Sequence, residues 1–342
     1  MKTRTLLAFV APSLFMMVVF IALPLVSVFW QSFHNTQGIF REVTVESCSP
    51  GFLRQICTKE VRSEAVTDAQ GHPLTQTVFI GWESYALLLQ PAELRRALGE
   101  GWRGLSQILE IDFYRALRFT LTFTLITLPF VIGLGLAIAL MVESMTRAIR
   151  GPLIFISLLP YIITPVIGAL SIRWLFVGDG ILTAAVSALV GQKVYLLTQG
   201  WSLELLMLFY RVWHVAPFAF IVFYAGLQTV DQDTLESSVI DGASRLERLR
   251  YVILPHLAPL IIFVALIHLM DSYRVFDEII GFSSQAHRIS LQWLTFSYLA
   301  PDQTGNRAIS RASASAMLTI IGVAFLLTPL LMRSWRDHRR GF

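Results

Sequence analysis

The chain has 342 residues, of which 55% are hydrophobic and 15% charged, with a formal net charge of +4 and a mean hydropathy of +0.62. Soluble domains carry roughly 25% charged residues, and the apolar residues here come in long runs rather than amphipathic patterns, which excludes a water-soluble enzyme core. Apart from Lys2, Lys59 and Lys193 the basic residues are arginines, mostly beside those runs, a distribution that speaks for membrane topology and against nucleic-acid binding.

Six stretches reach the length of about 20 apolar residues that a spanning helix needs. In chain order they are residues 6–30, 119–142, 153–177, 203–227, 257–280 and 312–335. The expected fold is an all-α membrane protein of six transmembrane helices. Residues 1–30 hold the first helix, 31–112 an outer segment with short helices, and 113–342 a five-helix core. The first stretch is long and lacks a small-residue cleavage site, so it reads as a retained helix rather than a removed signal peptide.

Lys2 and Arg4, then Arg147 and Arg150, then Arg245, Arg248 and Arg250, then Arg333, Arg336, Arg339 and Arg340 flank the stretches on one side. Basic flanks mark the cytoplasmic face, so both termini are expected there. The 31–112 segment is then outside (periplasmic), since long loops cross regardless of charge. It holds the two cysteines, Cys48 and Cys57, in a compartment where a disulfide is permitted. Their bridge would brace a loop with little core of its own. Trp30, Trp82, Trp174, Trp201, Trp213 and Trp335 lie near helix ends or in loops, as in an aromatic belt.

The connection at about 232–252 is the most informative. Asp233 or Thr234 can cap a helix starting near Leu235. Val239 and Ile240 follow Glu236 at helical spacing. Gly242 can turn the chain in a left-handed conformation, a second short helix with arginines follows, and Pro255 suits the first turn of the next membrane helix. The expectation is a helix–turn–helix on the cytoplasmic face.

These residues resemble the inner-membrane permeases of binding-protein-dependent ABC importers, carbohydrate (maltose and glycerol-phosphate-like) branch. The family signature is Glu-Ala-Ala, a Gly six positions after the Glu, and Ile-x-Leu-Pro. This chain has Glu236, Ser237 and Ser238 for the alanines, Asp241-Gly242-Ala243, and Ile253-Leu254-Pro255. Ala225-Gly226-Leu227, Trp213, Pro217, Phe79, Gly81, Tyr85, Phe113, Ala116, Thr120 and Phe276-Asp277 agree with it as well. Two departures stand outside the membrane: Gly281-Phe282-Ser283-Ser284-Gln285 in place of Gly-Gly-Pro, and an insertion at about 41–78. The resemblance implies the type I importer permease fold. It implies that Glu236, Ser237, Ser238, Asp241, Gly242 and Ala243 form the surface coupled to an ATPase. It implies as partners a second permease in a heterodimer, two ATPase copies, a periplasmic solute-binding protein and membrane lipid, with no nucleic acid. The chain would bind no cofactor, and ATP and Mg would belong to the ATPase.

Ionisable residues within membrane helices are costly and mark function. His268, Asp271, Arg274, Asp277 and Glu278 fall at three- and four-residue steps, with Ser272 and Tyr273 adding hydroxyls, and can share one face. They are candidates for the substrate path. His268 and Asp271 are expected near the middle of the fifth helix, and Arg274 could pair with Asp271 or Glu278. His214, Tyr224 and Gln228 are weaker candidates. A phosphate-binding loop needs Gly-Lys-Ser/Thr, and no lysine here fits it. Nor is there a His-Glu-x-x-His or Gly-x-Ser-x-Gly run or a Cys/His cluster with metal spacing. The chain is therefore expected to be a non-enzymatic importer permease of the inner membrane for a sugar or sugar-like solute. An anionic sugar derivative or glycerol phosphate is the alternative solute. A stand-alone secondary transporter is the alternative of a different class, with a membrane enzyme third.

Overall fold

The computed structural model describes residues 3–50, 55–67, 74–178, 180–193, 197, 199–301 and 307–340. Among them, six helices are long and apolar enough to cross a membrane: Phe9–Ser32, Asp112–Ser144, Pro165–Val190, Gly200–Leu227, Arg245–Tyr273 and Ile309–Arg336. Two compact units make up the chain, residues 1–90 with 295–317, and residues 91–294 with 318–342.

The first unit opens with α1 (Thr3–Met17), a π-helical turn and α2 (Leu23–Ser32). Four strands follow, β1 (His34–Gly38), β2 (Phe40–Pro50), β3 (Gln55–Ala65) and β4 (Thr75–Phe79), then α3 (Glu83–Leu89). The outer segment, expected to hold short helices, holds these four strands as well. β1 pairs antiparallel with β4, His34 opposite Phe79. β2 pairs antiparallel with β3, which sets the backbone of Cys48 opposite that of Cys57. The side chains of the two cysteines lie outside the described residues. Strand β4 is exposed along its whole length. A strand with no buried face need not alternate polar and apolar residues, so it leaves little trace in the sequence. The aromatic-Gly-aromatic element has a packing reason. Phe79 lies 5.3 Å from the His34 ring, Trp82 5.1 Å from Phe33, and the Tyr85 hydroxyl donates to Ser32 Oγ at 2.8 Å.

The second unit, to which the last two helices below belong only in part, begins with α4 (Pro91–Gly99) and α5 (Gly104–Ile108) and continues into α6 (Asp112–Ser144). Next come α7 (Arg147–Ile162), α8 (Pro165–Phe176), α9 (Ile181–Val190) and α10 (Gly200–Leu227). After α11 (Gln232–Ile240), α12 (Arg245–Arg248) leads through a π-helical turn into α13 (Leu254–Tyr273). The short α14 (Asp277–Gly281) precedes α15 (Leu291–Leu299) and α16 (Ile309–Arg340). Val131, Ala139, Phe220, Phe223, Leu257 and Val264 form the core of α6, α10 and α13. A Cβ on Gly135 would sit 2.6 Å from the Ala219 Cβ, so only glycine lets α6 and α10 approach this closely. A second cluster of Phe119, Phe123, Ala169, Met207, Tyr210 and Ile279 adds α8 and α14.

Two expected helices are corrected. The stretch 153–177 is broken: Ile163 (ψ 132°) and Thr164 (ψ 138°) are extended between α7 and α8. Thr164 precedes Pro165, and the proline ring disfavours helical backbone in the residue before it. The third candidate span is accordingly Pro165–Val190. The fifth helix ends at Tyr273 rather than near residue 280. His268 and Asp271 therefore lie in its last two turns, not near its middle. The six tryptophans singled out above are all exposed.

Candidate functional site

Two features stand out, an exposed turn and a buried ionic cluster. The turn joins α11 to α12. The α11 cap is Asp231, two residues before the expected Asp233. Its carboxylate accepts from the Asp233 N–H at 3.2 Å and the Thr234 hydroxyl at 2.8 Å. Both residues expected to cap are thus spent on bonding the true cap. At the far end Gly242 has φ +80°. The Gly242 N–H donates to Val239 O at 3.0 Å, and the Ala243 N–H to Ser238 O at 3.0 Å. That pair of bonds is a Schellman ending, which needs a left-handed residue at this position. Ser244 then opens α12 with a capping box. Its N–H donates to Glu247 Oε2 at 2.7 Å, and the Glu247 N–H donates to Ser244 Oγ at 3.3 Å. The turn is locked from both sides by backbone bonds. Glu236, Ser237, Asp241 and Gly242 are exposed on it, while Ser238 and Ala243 are half-buried. Ile240 is 86% exposed, an unusual setting for a large apolar side chain inside such an ordered element.

The cluster is centred on Arg211 of α10, which is 5% exposed. Its Nη1 donates to Glu278 Oε1 of α14 at 2.8 Å, and its Nη2 to Asp271 of α13 and to Ser272 Oγ at 3.2 Å. Glu278 is buried, whereas the Asp271 side chain is 63% exposed. His268 Nε2 meets Thr127 Oγ1 of α6 at 2.9 Å and Ser272 Oγ at 3.2 Å. His214 Nε2 meets Ile163 O at 2.9 Å, and the Tyr210 hydroxyl donates to Pro165 O at 2.7 Å. The Ile163 carbonyl, left free where α7 ends, is thus taken up by His214 of α10, while Tyr210 of the same helix bonds the first carbonyl of α8. A cleft of about 510 Å³ opens beside the cluster. Tyr161 and Phe218 form its aromatic side, with rings 5.9 Å apart, and Arg211, His214, His268 and Asp271 its polar side.

Of the expected path residues, His268, Asp271, Ser272 and Glu278 come together here. Tyr273 is buried elsewhere, with its hydroxyl against Gly322 of α16. Arg274 is exposed and Asp277 half-buried at the start of α14. The expected pairing of Arg274 with Asp271 or Glu278 is replaced by Arg211, because the helix ends one residue before Arg274 and breaks the shared face. Sequence reasoning missed Arg211. Its signal was available: an arginine inside the apolar stretch 203–227 is as costly as any acid there. Of the weaker candidates, His214 joins the cleft. Gln228 donates to Glu143 Oε2 at 2.5 Å, and Tyr224 packs beside the core of α6 and α10.

A family model described as binding-protein-dependent transport system inner membrane component matches residues 112–337. The trehalose/maltose transport system permease protein MalF of Thermococcus litoralis is 26% identical over 293 residues, 84% of this chain and 81% of that protein. The trehalose transport system permease protein SugA of Mycobacterium tuberculosis is 33% identical over 175 residues, 50% of this chain and 55% of that protein. Among solved structures, a chain of a bacterial ABC transporter involved in the import of the acidic polysaccharide alginate is similar with a TM-score of 0.68 and 19% identity. The match covers 98% of this chain and 96% of that one.

Proposed function

Because the chain belongs to the family of binding-protein-dependent transport system inner membrane components, we propose that it imports a sugar or sugar-like solute across a bacterial inner membrane by alternating access. The energy comes from a partner. ATP and Mg bind a dimeric ATPase, a second permease completes a heterodimer, and an outer binding protein delivers the solute. The observation that carries this reading is the locked turn between two membrane helices, inside the matched residues. Glu236, Ser237, Ser238, Asp241, Gly242 and Ala243 form the docking surface for the ATPase, and Ile240 gives it an apolar contact. The basic flanks support a cytoplasmic position for that turn and both termini. The sugar class is supported by the trehalose/maltose permease and trehalose permease relatives. The alginate transporter likeness bears on the fold alone.

The broken third helix is a feature that secondary transporters also use, so the test must separate the two modes. The chain is purified from membranes together with the products of its neighbouring genes and reconstituted. The expected result is an ATPase subunit bound to it and uptake of trehalose or maltose that requires ATP. A permease that purifies alone and transports without ATP would establish the stand-alone reading instead.

The β2–β3 hairpin is proposed to carry a Cys48–Cys57 disulfide outside the membrane, supported by the opposed backbone register. In intact spheroplasts a membrane-impermeant maleimide should label neither cysteine until a reductant is added, and both afterwards. Labelling without reduction would remove the bridge. No labelling after reduction would put the hairpin on the other side.

A further inference from the structure

The cleft has a charge balance as well as a shape. Arg211 is the one arginine lining it among the described residues, and its two terminal nitrogens are already engaged by Glu278 and Asp271. Glu278 does not itself line the cleft, but with it the cluster sets two carboxylates against one guanidinium. Arg274 does not line the cleft. The acid that reaches open space is Asp271, 63% exposed, while Arg211 and Glu278 stay behind it at 6% and 1%. A solute in the cleft therefore meets a carboxylate, a hydroxyl acceptor, and not a free cation. The rings of Tyr161 and Phe218, inclined at 25° to each other, also line the cleft, a surface suited to the apolar face of a sugar ring.

We infer that the cleft accepts a neutral polyhydroxylated solute and rejects anionic ones such as uronates and phosphate esters. A low-dielectric wall strengthens the repulsion of a second negative charge. The inference rests on the cleft being part of the solute path, as proposed above.

The test reads the sign of the cleft directly, without knowing the solute. The full chain, in its complex in membranes, carries Cys48→Ser and Cys57→Ser to remove the native thiols. Met270→Cys adds one in the cleft, at a position 40% exposed. Rates are compared for a trimethylammonium and a sulfonate methanethiosulfonate, each normalised to its rate with a free thiol. The expected result is a preference of about tenfold for the cationic reagent, the scale one unit charge produces over several ångström at intermediate dielectric. Adding Asp271→Asn should lower that preference at least threefold. A sulfonate reagent that reacts as fast, or a preference that Asp271→Asn leaves unchanged, would overturn the inference. If neither reagent reacts, resting or ATP-loaded, the cleft is no aqueous path and the underlying reading falls with it. If the modified permease still imports sugar at the full rate, the cleft is off the solute path and the solute preference inferred from it falls, while the importer reading and the sign of the cleft stand.

Discussion

Replacing Arg211 with methionine is expected to strip the membrane of folded permease. The guanidinium is buried, and so is its partner Glu278. Removing one member of a buried pair leaves the other charge without a counter-ion, which costs about 3–5 kcal/mol. That is a large share of the roughly 5–15 kcal/mol by which folded domains are stable. Asp271 is different. Its side chain is 63% exposed, so Asp271→Asn should cost under about 1 kcal/mol. The measurement is the amount and the detergent melting temperature of the purified chain. The triple variant Arg211→Met, Asp271→Asn, Glu278→Gln has no buried charge to strand and should recover most of the folded protein. Solute transport should not return with it if the cluster also lines the path. An Arg211→Met chain that melts like the wild type would mean that Glu278 is satisfied by some other group.

The second large effect concerns function and spares the fold. Gly242→Val should cut solute uptake at least tenfold while the chain accumulates normally. A Cβ on Gly242 would meet nothing within 4 Å, but its φ is +80°. The penalty is backbone strain, about 1–2 kcal/mol for an L-residue in left-handed geometry. A β-branched residue relieves it by undoing the Schellman bonds and turning Ile240 and Asp241 away from their fixed positions. Gly242→Asn tolerates the left-handed region better and should keep most of the uptake. Both variants are compared in proteoliposomes as molecules imported per ATP hydrolysed. Full uptake by Gly242→Val would mean that the geometry of this turn does not matter to coupling.

Much of the membrane fold was legible in the sequence because apolar run length is a direct physical requirement of the bilayer. The helices α6, α10 and α16 follow from it. So does the turn at Gly242, where one residue type satisfies one backbone angle. The break before Pro165 was harder to see, since the apolar run continues through it unbroken. Only the Thr164-Pro165 step hinted at it. Strand β4 was hard to see because it is exposed along its whole length and buries no face. In the ionic cluster, Asp271 and Glu278 were found and Arg211 was not. Spacing along one helix cannot report a partner that tertiary packing delivers from another, here α10 meeting α13 and α14. The same limit explains why Arg274, four residues before Glu278, was assigned the pairing that Arg211 holds.

The helix that starts at Ser244's capping box runs from Arg245 to Tyr273 through one π-helical turn. Asp271 lies 26 residues after Arg245, about 39 Å away along the axis at the helical rise. Such a rod is a lever. A tilt of about 5° about its Arg245 end would sweep Asp271 through roughly 3 Å over that length, enough to separate a carboxylate from a guanidinium. A rotation imposed on the turn by a docked partner would thus arrive at Arg211 as the making or breaking of one ion pair. The grip on the solute and the stroke of the motor would then be two readings of a single angle.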